Sequence, residues 1–152
     1  MSYNVLDEIK EKIEDADLVL IGIGEQLAVP TRMMEQDEKF KKILKPDLKT
    51  EYYPYLQQVF IEENKQKYLD FYNRLAKLIE GKNYYVLTTN ADDVIYKSNI
   101  DSERIVAPCG SIRQLVCGEC KGEINIFDED DISHNRQAIF DGDADKLIVK
   151  EC

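Results

Sequence analysis

The chain has no long hydrophobic run: nothing in its 152 residues approaches the roughly 18 consecutive apolar positions that mark a membrane-spanning helix, so no membrane partner is expected. The opening stretch MSYNVLDEIKEKIEDA lacks an apolar region after a basic start, and neither a secretory signal nor a mitochondrial address is visible in it. A cytoplasmic protein is expected. Basic residues are also scarce, with 20 Lys and Arg against 30 Asp and Glu, a formal charge of −10 and a pI near 4.6. Tracking phosphates requires clustered cations, which argues against nucleic acid as a partner. Histidine is limited to His134, in the acidic segment from Asp131 to Arg136, where it reads as an exposed loop residue with zinc ligation as a minor option. Internal repeats and low-complexity linkers are absent as well, so the chain is the size of one domain and long enough to bury a core.

Four cysteines are present, at positions 109, 117, 120 and 152, and in a cytoplasmic chain they point to metal binding or catalysis ahead of disulfides. The acidic excess concentrates in Asp128-Glu129-Asp130-Asp131 and Asp141-Gly142-Asp143-Ala144-Asp145, both read as solvated loops. A calcium loop in the second run would need a later bidentate Glu and flanking helices, which the sequence does not offer.

Val5, Leu6, Ile9, Ile13 and Ala16 recur at helical spacing behind Asn4, predicting an amphipathic helix over 4–16 that covers a sheet. Leu18 to Ile21 is a continuous apolar run, suited to a strand buried on both faces. Further helices are predicted over 38–44 and, with a break near Asn64, from 54 to 79, ending at Gly81. The tyrosines of that region read as a core or interface stripe, with an acceptor cleft as the alternative. Tyr84 to Leu87 is a second buried strand, followed by a short helix over 92–97, a third strand over 104–106 and an extended segment over 111–116. Residues 123–127 and 146–150 read as two more strands around an acidic, flexible connection.

Polar turns follow both buried strands: Gly22-Ile23-Gly24-Glu25-Gln26 after the first and Thr88-Thr89-Asn90-Ala91-Asp92 after the second. In an open α/β sheet ligands lie outside the carboxyl ends of the strands, so the two turns are expected to open onto one crevice. A Gly-x-Gly there lets the backbone turn tightly and approach a diphosphate, although the third glycine of the dinucleotide fingerprint is missing and Glu25 would repel a pyrophosphate if it pointed inward.

The order of Thr88-Thr89-Asn90-Ala91-Asp92, Cys109-Gly110-Ser111 and Cys117-Gly118-Glu119-Cys120 resembles the sirtuin family of NAD-dependent protein deacylases and ADP-ribosyl transferases. There a strand ends in Thr-Gln-Asn-Ile-Asp, a His-Gly follows, and a zinc-binding Cys-x-x-Cys comes next. The resemblance covers residues 18–152 and corresponds to the first part of the family's domain. It implies a Rossmann-like parallel sheet flanked by helices, with a nucleotide-binding part over 1–108, a helical insert at about 28–80, and a partial zinc-binding small domain over 109–152.

The same resemblance implies NAD and zinc as cofactors and an acylated or ADP-ribosylated protein as substrate. Gly22, Ile23, Gly24, Gln26, Thr89, Asn90 and Asp92 would line the NAD site, and Asn90, Asp92 and Cys109 would be catalytic. An amide can hold an attacking water or the ribose, and a carboxylate favours developing positive charge. Cys109 stands where the family has its histidine base, and Thr89 where it has glutamine. Three outcomes fit: Cys109 as an unusual base or nucleophile, a reaction that dispenses with the base, or an inactive descendant that still binds. Cys117, Cys120 and Cys152 would hold zinc, Cys152 beginning a second Cys-x-x-Cys. A zinc-stapled interaction domain that never meets a nucleotide is the remaining alternative.

Overall fold

Strand formation follows short β-rich runs. Val19–Ile23 (β1), Tyr84–Thr88 (β2) and Ile105–Val106 (β3) form a parallel three-stranded sheet in the order β1-β2-β3. Val19 pairs with Tyr84 and Ile23 with Thr88, while Val86 and Leu87 pair with Ile105 and Val106. These elements belong to a computed structural model that describes residues 5–125 and 128–150. Around the sheet lie the helices Val5–Asp15 (α1), Glu38–Lys41 (α2), Tyr53–Asn64 (α3), Gln66–Leu78 (α4) and Glu129–Asp141 (α5). An antiparallel hairpin of Gln114–Val116 (β4) and Glu123–Asn125 (β5) carries the Cys-x-x-Cys at its turn. The chain is thus mixed α/β with a small parallel sheet flanked by helices. No helix among the described residues is long and apolar enough to cross a membrane.

Burial alternates along the strands, because successive side chains point to opposite faces. Ile21, Ile23, Val86, Thr88 and Ile105 face the core, where Tyr68, Tyr72, Leu75 and Ile79 also pack. Leu20, Tyr85, Leu87 and Val106 lie on the other face, and Leu20 is 73% exposed. The expectation of strands buried on both faces therefore holds for one face only. A related expectation fails at α1, where Leu6 is 70% exposed and no residue is buried. Its amphipathic stripe does form, but none of it is buried.

α3 begins with Pro54 in its first turn and buries Tyr55, Leu56, Gln58, Val59, Phe60 and Ile61, making it the central helix. Phe60 meets Phe40 of α2 edge to face, with ring centroids 5.4 Å apart. The tyrosines follow the core reading: Tyr55, Tyr68 and Tyr72 are buried.

The acidic segment after 128 is a helix, not a flexible connection. Asp128 accepts the N–H of Asp131 at 2.8 Å as N-cap, and three acidic residues in the first turn complement the helix dipole. Ile132, Asn135, Ala138 and Ile139 form its buried stripe. The helix stops at Gly142, whose φ of +70° suits glycine and where a Cβ would lie 3.3 Å from Lys42 Cβ. Residues 146–150 are likewise no strand. Asn135 takes both backbone groups of Ile148, accepting its N–H at 2.7 Å and donating to its carbonyl at 3.2 Å, so a side chain replaces the strand partner. Of the predicted strand over 123–127, the portion 123–125 forms β5, and 126–127 lie outside the described residues.

Candidate functional site

Parallel pairing in register brings the carboxyl ends of β1 and β2 side by side. The N–H of Thr89 donates to Ile23 O at 3.1 Å, extending the ladder one step beyond the paired strands. The two polar turns thus leave the sheet at the same edge. Gly24 is extended, with φ −116° and ψ −173°, and Gly22 lies within β1, so no tight turn requires either glycine. A Cβ built on either one would meet nothing within 4 Å. The open space itself is the feature of this loop. Glu25 is exposed and pairs with Arg32 Nη1 at 2.9 Å, so a cation stands beside the carboxylate that would oppose a diphosphate. Gln26 is exposed in a single 3-10 turn, Glu25–Leu27. Ile23 offers no side chain to a ligand, because that side chain is in the core.

On β2 the exit turn is fastened from several sides. Thr88 Oγ1 accepts the N–H of Asn90 at 3.1 Å, and Asn90 Nδ2 donates to the Tyr72 hydroxyl at 3.4 Å. That hydroxyl donates in turn to Leu27 O at 2.8 Å, linking α4 to the loop after β1. Burial pushes the Tyr72 phenol up to about 12, with the Asp92 charge adding to the rise and the Asn90 hydrogen bond opposing it. Tyr72 therefore remains a neutral donor. Thr89 is exposed, whereas Asn90 and Asp92 are each 7% exposed.

Asp92 is committed to the backbone: Oδ2 accepts from Val29 N at 2.8 Å and Oδ1 from Val94 N at 3.1 Å. Burial raises its pKa, and these two hydrogen bonds work against the rise. Its role in this geometry is to brace the loop after β1 against the turn after β2. Asp93 is different. It takes φ +60°, a left-handed conformation uncommon outside glycine, and its carboxylate accepts from the Ser111 hydroxyl. Ser111 Oγ also accepts Arg113 N at 3.0 Å, and Ile112 N donates to Ala91 O at 2.8 Å. The segment after the Cys-Gly corner is thereby stitched onto the asparagine–aspartate turn.

A cavity of about 690 Å³ opens here, lined by Asp93, Tyr96, Lys97, Gly110, Ser111 and Arg113 among others. Gly110 sits at φ +73° and donates to Ala107 O at 3.1 Å, a tight corner that needs glycine. Cys109 is exposed beside it, and the wall is formed by Gly110 and Ser111 rather than by the thiol. Asp93, Ser111, Arg113 and Tyr72 were not among the site residues expected from sequence. Two of them had a visible signal: Asp93 directly follows the Thr-x-Asn-x-Asp turn, and Ser111 follows Cys-Gly.

Cys117 and Cys120 share one short loop. Cys117 N donates to Gly122 O at 2.9 Å, and Gly122 N donates to Cys120 Sγ at 3.3 Å. Among the described residues no group of three or more His, Cys, Asp and Glu side chains converges as a metal site. Cys152, the third expected ligand, lies outside the described residues. His134 is on α5 rather than in a loop, exposed, with Nε2 3.0 Å from Lys146 O.

Chemically, the edge combines an open glycine loop, a fixed buried amide and a carboxylate-lined cavity beyond them. No protein-family model matches the chain, and no curated protein matches it in sequence.

Proposed function

We propose that this is a cytoplasmic, sirtuin-like protein that binds NAD at the joint carboxyl edge of β1 and β2 and cleaves its nicotinamide–ribose bond. The adenosine diphosphate portion would run along Gly22, Gly24 and Gln26, and the nicotinamide end would meet Thr89 and Asn90. The acceptor is an acylated protein side chain or a group that takes ADP-ribose. One observation carries this proposal: two adjacent, in-register strand tips where glycine is demanded by neither backbone angle nor packing, leaving the room a diphosphate needs close to the chain. The neighbouring residues fit that ligand, since Glu25 is paired with Arg32 and the Asn90 amide is held by Tyr72.

Zinc belongs to the proposal as a structural staple on the β4–β5 hairpin, held by Cys117 and Cys120 with Cys152 as a further thiolate. The Rossmann-like character of the sheet, with 1–108 as its nucleotide-binding part and 109–152 as the small domain, is part of the same proposal. Titration calorimetry with NAD and chromatographic assay of released nicotinamide test it together. Binding with release is expected. Binding without release would favour a catalytically inactive NAD-binding module, which the exposure of Cys109 at the family's histidine position also favours. Absence of both would remove the nucleotide from the account.

A further inference from the structure

The cavity beyond the asparagine–aspartate turn contains the one carboxylate of that turn that is not committed to backbone. Asp92 and Asp93 are consecutive, yet they face different tasks. Both oxygens of Asp92 accept backbone N–H groups, whereas Asp93 lines the open cavity and meets a hydroxyl, that of Ser111. Its left-handed backbone at φ +60° is a conformation that costs an L-residue energy and collects at functional positions. Gly110 and Ser111, next to the thiol at 109, line the same cavity. Asp93 thus shares a cavity with Gly110 and Ser111, the residues that follow the corner where the resemblance would have an imidazole.

From this geometry we infer that Asp93, oriented by Ser111, is the proton acceptor of the NAD-cleaving reaction, in place of a base at position 109. The inference rests on the NAD proposal above and adds a residue role to it. In the hydrolytic form of the reaction, the Asp93 carboxylate takes a proton from water as the water oxygen bonds to the anomeric carbon. The carbon–nitrogen bond breaks, and nicotinamide leaves with the electron pair that neutralises its ring. The proton then passes from Asp93 to solvent, so the balance needs only NAD and water. Ser111 is a positioning residue in this scheme. Its hydroxyl donates to the Asp93 carboxylate, while its Oγ accepts the N–H of Arg113, which fixes the serine.

The charged and titratable groups around Asp93 are Asp92 on the same turn, Lys97 from the following 3-10 turn Val94–Lys97, Arg113 from the segment before β4, and the Tyr96 phenol on the cavity wall. Burial raises the Asp93 pKa, while the Ser111 hydrogen bond and the Arg113 and Lys97 charges oppose the rise. A base of this kind is active when deprotonated, so nicotinamide release should fall on the acid side, at a pH above the ordinary carboxylate range.

The test is nicotinamide release from NAD by the complete chain across pH, with NAD affinity measured alongside, for wild type, Asp93→Asn, Ser111→Ala and Cys109→Ala. Asparagine tolerates the left-handed backbone, which keeps Asp93→Asn a fair test of charge, and its melting temperature verifies the fold. Asp93→Asn should lose about 100-fold or more in release with NAD still bound, and its acid limb should disappear. Ser111→Ala should shift the acid limb without removing it. A loss in Cys109→Ala larger than that in Asp93→Asn would overturn the inference, as would an acid limb that survives in Asp93→Asn. Wild type that neither binds nor cleaves NAD would overturn the NAD proposal and this inference with it, whereas an active wild type matched by an active Asp93→Asn removes the inference alone.

Discussion

The backbone N–H of Val29 donates to Asp92 Oδ2 at 2.8 Å, joining positions 63 residues apart in sequence. The other carboxylate oxygen holds Val94 N, so one buried side chain ties the loop after β1 to the turn after β2. Replacing Asp92 with alanine leaves two inward backbone donors without acceptors. A loss of about 3 kcal/mol in urea unfolding is expected, with a smaller loss for Asp92→Asn, which keeps one acceptor oxygen. The pH dependence has a definite sign. Because burial raises the folded-state pKa of Asp92, its favourable contribution is fully present below the unfolded value near 4 and is lost as pH rises through the folded value. The stability gap between wild type and Asp92→Asn should be widest in acid, and a gap that widens toward neutral pH would contradict this.

Gly22 and Gly24 separate structural from ligand-related demand for glycine. Since a Cβ meets nothing at either site and neither residue has positive φ, alanine should leave stability unchanged or raise it by up to about 1 kcal/mol. NAD affinity, by contrast, should fall at least tenfold in Gly24→Ala by calorimetry, the loss expected when a methyl group intrudes on a closely approaching diphosphate. A stable variant with undiminished NAD affinity would free this loop from any nucleotide role.

The parts of the fold visible in sequence are those where the hydrophobic pattern and the packing partner agree. Val19–Ile23 and Tyr84–Thr88 are apolar runs that pair with each other, and the 3.6-residue period over Pro54 to Ile79 produces two helices interrupted at Lys65. α5 was hidden because its buried stripe includes Asn135, a polar residue whose partner is the distant backbone of Ile148, and because its capping acids look like a solvated loop. Residues 146–150 mislead for the reciprocal reason: Leu147-Ile148-Val149 is apolar enough for a strand, but its hydrogen-bond partner is a side chain. At the site, adjacency of the two turns was readable from strand order. Which aspartate lines the cavity and which braces the backbone was not, since that depends on a one-residue difference in direction.

Asn135 offers a direct check on that part of the structure. It is fully buried, and its amide satisfies both the N–H and the carbonyl of Ile148, so Asn135→Ala should cost about 2–3 kcal/mol by leaving both groups unpaired. Asn135→Leu should do no better, because it fills the volume but supplies no partner. Asp128→Ala, removing the N-cap acceptor of the same helix, should cost about 1 kcal/mol. If all three variants unfold like wild type in urea, the acidic segment is not a docked helix.

The β4–β5 hairpin gives the zinc proposal its own measurable consequence. Two strands of three residues each make a hairpin that is marginal in isolation, and on β4 Leu115 is half-buried and Val116 exposed. The loop between them is nevertheless tightly specified: Lys121 adopts φ +60°, its N–H donates to Cys117 O at 3.1 Å, and Gly122 N points at Cys120 Sγ. Under the zinc proposal a bound metal would stabilise this loop, since thiolate ligation is also folding energy for small loops. One zinc ion per chain is therefore expected by native mass spectrometry, lost in Cys117→Ser and in Cys120→Ser. A strong chelator should lower the melting temperature of wild type and leave that of the doubly substituted chain unmoved. Lys121→Gly, which removes the left-handed strain but no ligand, should retain zinc and gain about 1 kcal/mol. A wild-type chain free of zinc and indifferent to chelator would mean that the backbone alone maintains this loop, and the cysteines would then have to be explained by their own chemistry.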